Sequence, residues 1–183
     1  MRTLVLGAAR SGKTNHAILL AQSLSRKPER AVTYVATAQA LDREMTKRIQ
    51  LHRAERPGSW ATLEASKDLA PSLRTIDKEN IVIIDCLTLW LSNALLADFS
   101  ESAPADFLPT WQAERAEFLK WLNEFSGNVL LVSNEVGAGI VPMSALARRF
   151  QDEQGRLNQA VAAICDCVTL VVAGIPVPIK PRG

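Results

Sequence analysis

The stretch Gly7-Ala8-Ala9-Arg10-Ser11-Gly12-Lys13-Thr14 fits the phosphate-loop pattern GxxxxGK[ST] without a mismatch. A short apolar run, Thr3 to Leu6, precedes it, and a segment of helical character from Lys13 to about Leu24 follows it. In such a strand, loop and helix, backbone N–H groups and the positive end of the helix dipole surround phosphate groups. We therefore expect Lys13 to lie between the β- and γ-phosphates of a nucleotide and Thr14 to offer its hydroxyl to Mg²⁺.

Further apolar runs rich in β-branched residues recur along the chain, and they are uniform rather than alternating, which is typical of strands buried on both faces. Segments of helical period separate them, so the sequence predicts an α/β domain with a mostly parallel central sheet covered by helices on both faces. Ligands are then expected at the carboxyl ends of the strands. The Pro-containing tail from Gly174 to Gly183 departs from this rhythm and is compatible with a final edge strand. The runs are Val32 to Ala36, Ile81 to Ile84, Val129 to Val132 and Val168 to Val172.

Composition sets further bounds on the protein. A chain of 183 residues predicts one domain, residues 1–183, and a net charge of +2 gives no reason to expect nucleic acid or an anionic membrane as a partner. Cys86, Cys165 and Cys167 form an odd set without zinc-site spacing, so we interpret them as reduced thiols of a cytoplasmic protein. Because the phosphate loop begins at residue 7, we expect no secretory leader. The most apolar stretch, Ile81 to Ala97, contains polar residues and predicts no membrane span.

Two acidic or polar clusters follow predicted strands. Asp85 comes directly after Ile81 to Ile84, the Walker B pattern, in which a carboxylate beside the phosphate loop holds Mg²⁺ directly or through water. Ser133, Asn134 and Glu135 end a later strand and are expected at the same edge of the sheet. Glu135 could serve as a general base, a metal ligand or an ordinary loop residue, and the sequence does not choose among these roles.

A helix is predicted to begin at an N-cap, Asp42, and to continue through His52. At 100° per residue, Met45, Ile49 and His52 share one face with Leu41, and we expect this face to point inward. A buried structural histidine and a catalytic one both fit this position. The helix ends in a charged, Pro-containing segment that could meet phosphates or form a solvated turn; its residues are Arg53, Ala54, Glu55, Arg56 and Pro57.

A second long helix is predicted from Ser144 to Ile164. Its arginines, Arg148, Arg149 and Arg156, could reach phosphates or lie in solvent, and surface arginine is the commoner case. The tryptophans are scattered along the chain and favour core or subunit contacts rather than a stacking platform. Those tryptophans are Trp60, Trp90, Trp111 and Trp121.

Taken together, these blocks resemble the bifunctional adenosylcobinamide kinase/adenosylcobinamide-phosphate guanylyltransferase family of cobalamin biosynthesis along nearly the whole chain. The family's first block usually has a second glycine where Ala8 stands, and it commonly has a glutamate where this chain has Asp85. The matching blocks are GAARSGKTNHA, YVATAQALDREMTKRIQLHRAERPGSW, IIDCLTLWLSN, VSNEVGAGIVP and ARRFQDEQGRLNQ.

This resemblance implies a RecA-like P-loop domain that assembles as a homotrimer and catalyses two reactions. The first phosphorylates the aminopropanol hydroxyl of adenosylcobinamide with ATP or GTP, and Lys13 is implied as a catalytic residue. The second transfers GMP from GTP to that phosphate through a guanylyl-histidine intermediate at His52. Thr14 and Asp85 are the implied Mg²⁺ ligands, and no tightly bound cofactor is expected. The implied nucleotide-binding residues are Gly7, Ala8, Ala9, Arg10, Ser11, Gly12, Lys13, Thr14, Ala36, Thr37, Ala38, Arg53, Ala54, Glu55, Arg56, Glu64 and Asp85.

Two other functions are compatible with parts of the sequence. A phosphate-loop kinase of another small molecule would share Lys13, Thr14 and Asp85 but would give His52 no task. A nucleotide-dependent switch without chemistry is disfavoured because the sequence shows no guanine-specifying NKxD-like tetrapeptide and no long switch loop. The choice between ATP and GTP in the kinase step stays open, as does the question whether both reactions share one nucleotide site.

Overall fold

A computed structural model describes residues 1–25, 30–97 and 107–181, so parts of the predicted domain over residues 1–183 lie outside the described residues. Strands and helices alternate from the first strand to the helix that ends at Ala97, as the sequence predicts. The elements are β1 (Arg2–Gly7), α1 (Lys13–Ser25), β2 (Val32–Ala36), α2 (Arg43–Ala54), β3 (Ala61–Glu64), α3 (Leu69–Leu73), β4 (Ile81–Asp85), α4 (Leu87–Ala97), α5 (Phe107–Glu124), β5 (Asn128–Asn134), α6 (Ala145–Ile164), β6 (Cys167–Val172) and β7 (Ile175–Lys180).

The strands form one sheet in the order β3-β2-β4-β5-β1-β6-β7. All neighbouring strands from β3 to β6 run parallel, and β7 pairs with β6 in the antiparallel direction. The predicted α/β class with a mostly parallel sheet is therefore confirmed, and so is the edge strand in the C-terminal tail. The short strand β3 is not predicted by the sequence, because only one of its four residues, Leu63, is even partly buried.

Helices cover both faces of the sheet, which explains why the strands are apolar throughout. Along β4, Ile81 and Ile83 pack toward α1, whereas Val82 and Ile84 pack toward the layer formed by α3, α4, α5 and α6. Successive side chains of a strand point to opposite faces, so a strand between two helical layers needs apolar residues at every position. The core therefore lies on both sides of the strands that end near the phosphate loop.

Aromatic side chains fill the centre of the larger helical layer. The ring centroid of Trp90 lies 4.8 Å from that of Trp111 and 5.0 Å from that of Phe118, and all three side chains are buried. Trp121 is also buried in this layer, whereas Trp60 is partly buried against the opposite one. The prediction that the tryptophans serve in packing is confirmed for these residues.

Helix α2 lies outside both core layers. Its predicted N-cap is confirmed, because the Asp42 side chain accepts a hydrogen bond from the Met45 backbone N–H at 2.7 Å. The expectation that one face of this helix points inward is only partly correct, since α2 has no buried residue and Leu41 is largely exposed. Met45, Ile49 and His52 instead face a cavity. A helix face that lines a cavity has the same spacing of apolar residues as one that packs in the core, so the sequence does not distinguish the two.

Two smaller predictions also concern burial. Cys86, Cys165 and Cys167 are free thiols, the first two buried and the third half-buried. Within the described ranges, no helix combines the length and the apolar character that crossing a bilayer requires.

Candidate nucleotide site

A cavity of about 480 Å³ opens at the carboxyl edge of the sheet. The strand register places Ala36 level with both Glu64 and Asp85, and it places Gly7 level with Asn134, so the ends of five strands meet at this edge. The cavity is lined by Ala9, Arg10, Ser11, Gly12, Lys13, Thr14, Asn15, Tyr34, Ala36, Ala38, Ala40, Met45, Arg48, Ile49, His52, Glu55, Arg56, Glu64, Asp85, Cys86, Leu89 and Asn134.

The phosphate loop has the tight backbone that its glycines allow. Gly12 has a φ of +93°, which L side chains rarely adopt, and a Cβ at Gly7 would approach the Val171 carbonyl oxygen to 2.7 Å. Arg10 also has a positive φ, 58°, in the same loop. Backbone strain of this kind is typical of ligand-binding loops. The sequence motif is therefore folded into the loop conformation that it predicts.

Lys13 lies at the base of this loop and is nearly buried. Its ammonium group donates a hydrogen bond to the Ala8 carbonyl oxygen at 3.1 Å. Burial lowers the pKa of Lys13, and the negative charge of Asp85 opposes this effect. A buried ammonium with one carbonyl partner has unused donors, so a phosphate oxygen would be a favourable additional partner.

The Asp85 carboxylate accepts hydrogen bonds from two side chains of the cavity wall. One of its carboxylate oxygens, Oδ2, accepts hydrogen bonds from the Thr14 hydroxyl at 3.1 Å and from the Tyr34 hydroxyl at 2.5 Å. Hydroxyl and carboxylate oxygens are the ligands that Mg²⁺ prefers, and it takes few of them from the protein when phosphates supply the rest. Among the described residues, no cluster of three or more His, Cys, Asp and Glu side chains offers a metal site. The pair Thr14 and Asp85 therefore fits a magnesium ion shared with a nucleotide.

Tyr34 contacts both the Asp85 carboxylate and Arg56, which follows the C-terminus of helix α2. The guanidinium carbon of Arg56 lies 3.3 Å from the centroid of the Tyr34 ring, which is a cation–π contact. Burial, and then the nearby charge of Asp85, raises the pKa of Tyr34 well above its usual value of 10. Tyr34 therefore stays protonated and donates to Asp85 over the whole physiological pH range.

His52 reaches the cavity from the last turn of α2, and its side chain is 45% exposed. Its Nδ1 atom lies 3.3 Å from Glu55 Oε2. A neutral imidazole that donates from Nδ1 to this carboxylate keeps its lone pair on Nε2. The arrangement can therefore hold a histidine in the form that attacks an electrophile.

The cavity walls contain polar atoms that no protein group satisfies. In the described part of the chain, six buried side-chain nitrogen or oxygen atoms lack a hydrogen-bond partner. Three of the six belong to residues that line this cavity: Ser11 Oγ, Arg56 Nε and Asn134 Oδ1. Unpaired buried polar atoms are rare in folded proteins, and their concentration around one cavity indicates a polar ligand.

Most of the site residues implied by the resemblance line this cavity, and some lie elsewhere. Thr37 is buried and structural, because its hydroxyl donates to the Cys86 carbonyl oxygen at 2.8 Å and accepts from the Cys86 N–H at 2.7 Å. Arg53 and Ala54 are exposed and do not line the cavity. Gly7 and Ala8 belong to the phosphate loop but do not line the cavity. A Cβ at Gly7 would meet Ser11 Oγ, and the Ala8 carbonyl oxygen accepts the hydrogen bond from Lys13. Nucleotide contacts by these residues stay predictions.

Several lining residues were missed by sequence reasoning. Arg48 precedes His52 by one helical turn, so the helical period could have found it. Tyr34 stands on β2, and its approach to Asp85 follows from a strand order that the sequence does not show. Asn134 was expected at this edge of the sheet, and it does line the cavity. These residues without a motif signal therefore come from helix α2 and from strand β2 rather than from the phosphate loop itself.

The residues left open by the sequence lie outside the cavity wall. Glu135 is exposed, and its side chain accepts from the Gly137 N–H at 2.8 Å. Arg148 donates to backbone carbonyls, and Arg156 pairs with the buried Glu153 at 2.5 Å. Arg149 does not line the cavity either. Direct phosphate contact is therefore not favoured for these three arginines.

The fold and this cavity together define a phosphate-loop protein that binds nucleotides. Residues 3–179 match the family described as cobinamide kinase / cobinamide phosphate guanyltransferase, and the chain belongs to this family. Members of this family are enzymes of cobalamin biosynthesis. The resemblance that the sequence shows is therefore confirmed, and so is the expected class of bifunctional enzyme.

Named relatives cover nearly the full chain. The bifunctional adenosylcobalamin biosynthesis protein CobP of Pseudomonas aeruginosa is 46% identical over 181 residues, which are 98% of each chain. The bifunctional adenosylcobalamin biosynthesis protein CobU of Escherichia coli is 41% identical over 186 residues, covering 98% of this chain and all of the relative. The protein of the same name from Salmonella typhimurium is 41% identical over 187 residues, with the same coverage.

Proposed function

We propose that this chain phosphorylates the aminopropanol hydroxyl of adenosylcobinamide with ATP or GTP, and then transfers GMP from GTP to the new phosphate. The observation that carries the proposal is that one cavity contains the phosphate loop, Asp85 and a histidine, in a chain of this family. A kinase alone would need only the first two. The histidine explains how the same compact chain could also transfer a nucleotide.

In the kinase step, the acceptor hydroxyl attacks the γ-phosphorus, the bond from that phosphorus to the β,γ-bridging oxygen breaks, and the hydroxyl proton is released. Lys13 binds the β- and γ-phosphates and stabilises the charge that develops between them. Thr14 and Asp85 would hold Mg²⁺, which neutralises phosphate charge when bound. Tyr34 keeps the Asp85 carboxylate in place through its hydrogen bond.

In the transfer step, we propose His52 as the nucleophile. Its Nε2 lone pair attacks the α-phosphorus of GTP, the bond to the α,β-bridging oxygen breaks, and pyrophosphate leaves. Glu55 orients the ring through Nδ1, and the cations Arg10, Arg48 and Arg56 surround the departing charge. A phosphate oxygen of adenosylcobinamide phosphate then attacks the same phosphorus, which releases His52 and gives adenosylcobinamide-GDP.

The remaining parts of this proposal concern the state of the protein. We place it in the cytoplasm, which is supported by three free thiols that suit a reducing compartment. We also propose a homotrimer, as the resemblance implies. Support comes from β7, where Ile175, Val177 and Ile179 are exposed and alternate along the strand, so they form an apolar stripe on one face.

Product analysis tests the two reactions separately. The enzyme is incubated with adenosylcobinamide and ATP, then with GTP, and the corrinoids are separated by chromatography. We expect the phosphate after the first incubation and the GDP derivative after the second. Lys13→Ala should lose both products, whereas His52→Ala should still form the phosphate. Loss of the phosphate in a folded His52→Ala protein would contradict this division of labour.

A further inference from the structure

The loop between β5 and α6 exposes an unusual amount of apolar surface. We call residues 136–143 the apolar loop. Ile140 and Met143 are each 96% exposed and Val141 is 68% exposed, more than most large apolar side chains in the described residues. Single exposed apolar residues are common on proteins, but a contiguous group of them marks a binding surface.

The apolar loop is held in this exposed position by its backbone. At its start, the Glu135 N–H donates to the Gly7 carbonyl oxygen at 3.2 Å, and Gln151 Nε2 donates to the Val136 carbonyl oxygen at 3.1 Å. At its end, one guanidinium nitrogen of Arg148 donates to the Pro142 carbonyl oxygen at 2.9 Å and to that of Met143 at 2.7 Å. Because both ends are fastened to the β1 end and to helix α6, the side chains between them are presented to solvent.

The position of the loop relates it to the nucleotide cavity. Strand β5 lies between β1, which leads into the phosphate loop, and β4, which ends at Asp85. Asn134 lines the cavity, and the apolar loop begins two residues later, at the same edge of the sheet. A cavity of about 480 Å³ is of the size that holds one nucleotide-sized ligand. A macrocyclic acceptor must therefore rest on the rim while its hydroxyl reaches inward.

The chemistry of the loop suits such an acceptor. From Val136 to Ser144 the chain has no charged side chain. Helix α2, which contributes Arg48 and His52 to the cavity wall, is by contrast rich in charge, since Arg43, Glu44 and Lys47 precede Arg48 along it. A corrinoid ring has methyl-bearing faces and neutral amide groups at its edge, so the uncharged apolar rim is its better support.

We propose that the apolar loop binds the corrinoid ring of the acceptor and thereby holds its side-chain hydroxyl, and later its phosphate, at the mouth of the nucleotide cavity. The inference rests on the proposed function, since it assigns a surface to the substrate of that function. The same loop serves both steps, because the ring stays in place while the group that reacts changes from hydroxyl to phosphate.

The double variant Ile140→Ser with Met143→Ser tests the assignment. Both side chains are exposed, so folding and the melting temperature should not change. We expect the KM for adenosylcobinamide and the Kd for cobinamide, measured by its visible absorbance in equilibrium dialysis, to rise about tenfold or more. The KM for ATP should stay unchanged, and so should covalent labelling by GTP alone, which needs no corrinoid. Leu19→Ser, at a 54% exposed position on α1, is the matched control and should change none of these values.

The outcomes separate this inference from the proposed function. An unchanged corrinoid Kd and KM in the double variant would overturn the inference. If the variant instead changes the oligomeric mass in sedimentation and leaves the corrinoid Kd unaltered, the loop is a contact between copies of the chain, and the inference is again wrong. Wild-type protein that binds cobinamide but does not convert it would contradict the proposed function alone, and the comparison of Kd values would still decide the role of the loop.

Discussion

At the scale of single residues, Asp85 depends on a neighbour that no motif contains. Tyr34 is buried, donates to the Asp85 carboxylate and lies under the Arg56 guanidinium. In our proposal Asp85 holds Mg²⁺, and a fixed partner of this kind would keep its carboxylate in one position, because metal ligands are commonly oriented by hydrogen bonds behind them. We therefore propose that Tyr34 acts through Asp85 as a positioning residue.

Tyr34→Phe tests this role. The phenylalanine ring still packs in the same place under Arg56, but the hydrogen bond to Asp85 is lost. A hydrogen bond to a charged group is worth about 1.5–3 kcal/mol, so we expect kcat/KM of the kinase step to fall about tenfold or more at limiting Mg²⁺. Raising the Mg²⁺ concentration should recover part of the loss. Unchanged Mg²⁺ dependence in the variant would show that Tyr34 serves packing only.

His16 provides a test of how pH acts on stability. Burial lowers the pKa of His16 from its ordinary value of 6.5. Between 6.5 and this lower pKa, the unfolded chain binds the proton more tightly than the folded one, so the free energy of unfolding decreases as the pH falls. We expect urea unfolding at about pH 7.5 and about pH 5 to show a smaller loss of stability in His16→Gln than in wild type. Equal losses in the two proteins would contradict the assignment.

The sequence shows the site to the extent that its chemistry lies in continuous stretches. The phosphate loop and Asp85 could be predicted because each follows its own strand. Asn134 was expected at the same edge of the sheet because it also ends a strand, whereas Tyr34 could not be predicted, since it reaches the cavity only through the order of the strands. His52 is an intermediate case, because its helix was predicted correctly while the surface that it faces was not.

At the scale of elements, α2 differs from the other helices of the described residues, each of which contributes buried side chains to the core. It has no buried residue, and its N-terminus is closed by the Asp42 side chain. Helices of this length gain most of their stability from packing, so a single cap contributes a large share here. Elements of low local stability are often those that carry ligand-binding groups.

Asp42→Ala should therefore loosen α2 without affecting the core. Losing an N-cap costs about 1 kcal/mol, so we expect hydrogen exchange of the α2 amides to become about fivefold faster while the melting temperature stays nearly constant. Ser144→Ala removes the corresponding cap of α6 and is the matched control, which should leave α2 exchange unchanged. Equal exchange of α2 in wild type and Asp42→Ala would mean that other contacts hold this helix.

Helix α6 shows what periodicity cannot predict. Glu153 lies on its core face and is buried, where it accepts from Trp111 Nε1 at 2.8 Å and pairs with Arg156 and Arg115. An acidic residue at a core position does not fit a simple apolar pattern. Two of its partners, Trp111 and Arg115, are on α5, and the third, Arg156, is one turn further along α6. Such a cluster can be understood only from the packing of α5 against α6.

At the scale of the whole molecule, the class of fold follows from sequence more readily than its topology. Uniformly apolar strands separated by helices are enough to indicate a parallel sheet with two covered faces. Strand order is not encoded in any local pattern, and β3 is too short and exposed to be recognised. The apolar stripe of β7 is likewise unexplained by the packing of the described residues, because every residue of this edge strand is exposed there.

Val177→Lys tests whether this stripe joins subunits. A charge in the middle of an apolar interface is strongly unfavourable, so we expect sedimentation to show a shift from a species of three chains toward the 20.0 kDa single chain. Leu19→Lys, on the exposed surface of α1, should leave the mass unchanged. A trimer that persists in Val177→Lys would place the subunit contact elsewhere, and a wild-type monomer would contradict the proposed assembly.

The most direct measurement is covalent labelling of the enzyme with GTP that has a radioactive α-phosphate, in the presence of Mg²⁺ and without corrinoid. We predict a label that is stable to base and labile to acid, as expected of a phosphorus–nitrogen bond to histidine. His16→Gln should keep the label, and His52→Ala should lose it, because these are the two histidines of the chain. Absence of label on folded wild-type protein that binds GTP, or a label that persists in His52→Ala, would contradict His52 as the nucleophile.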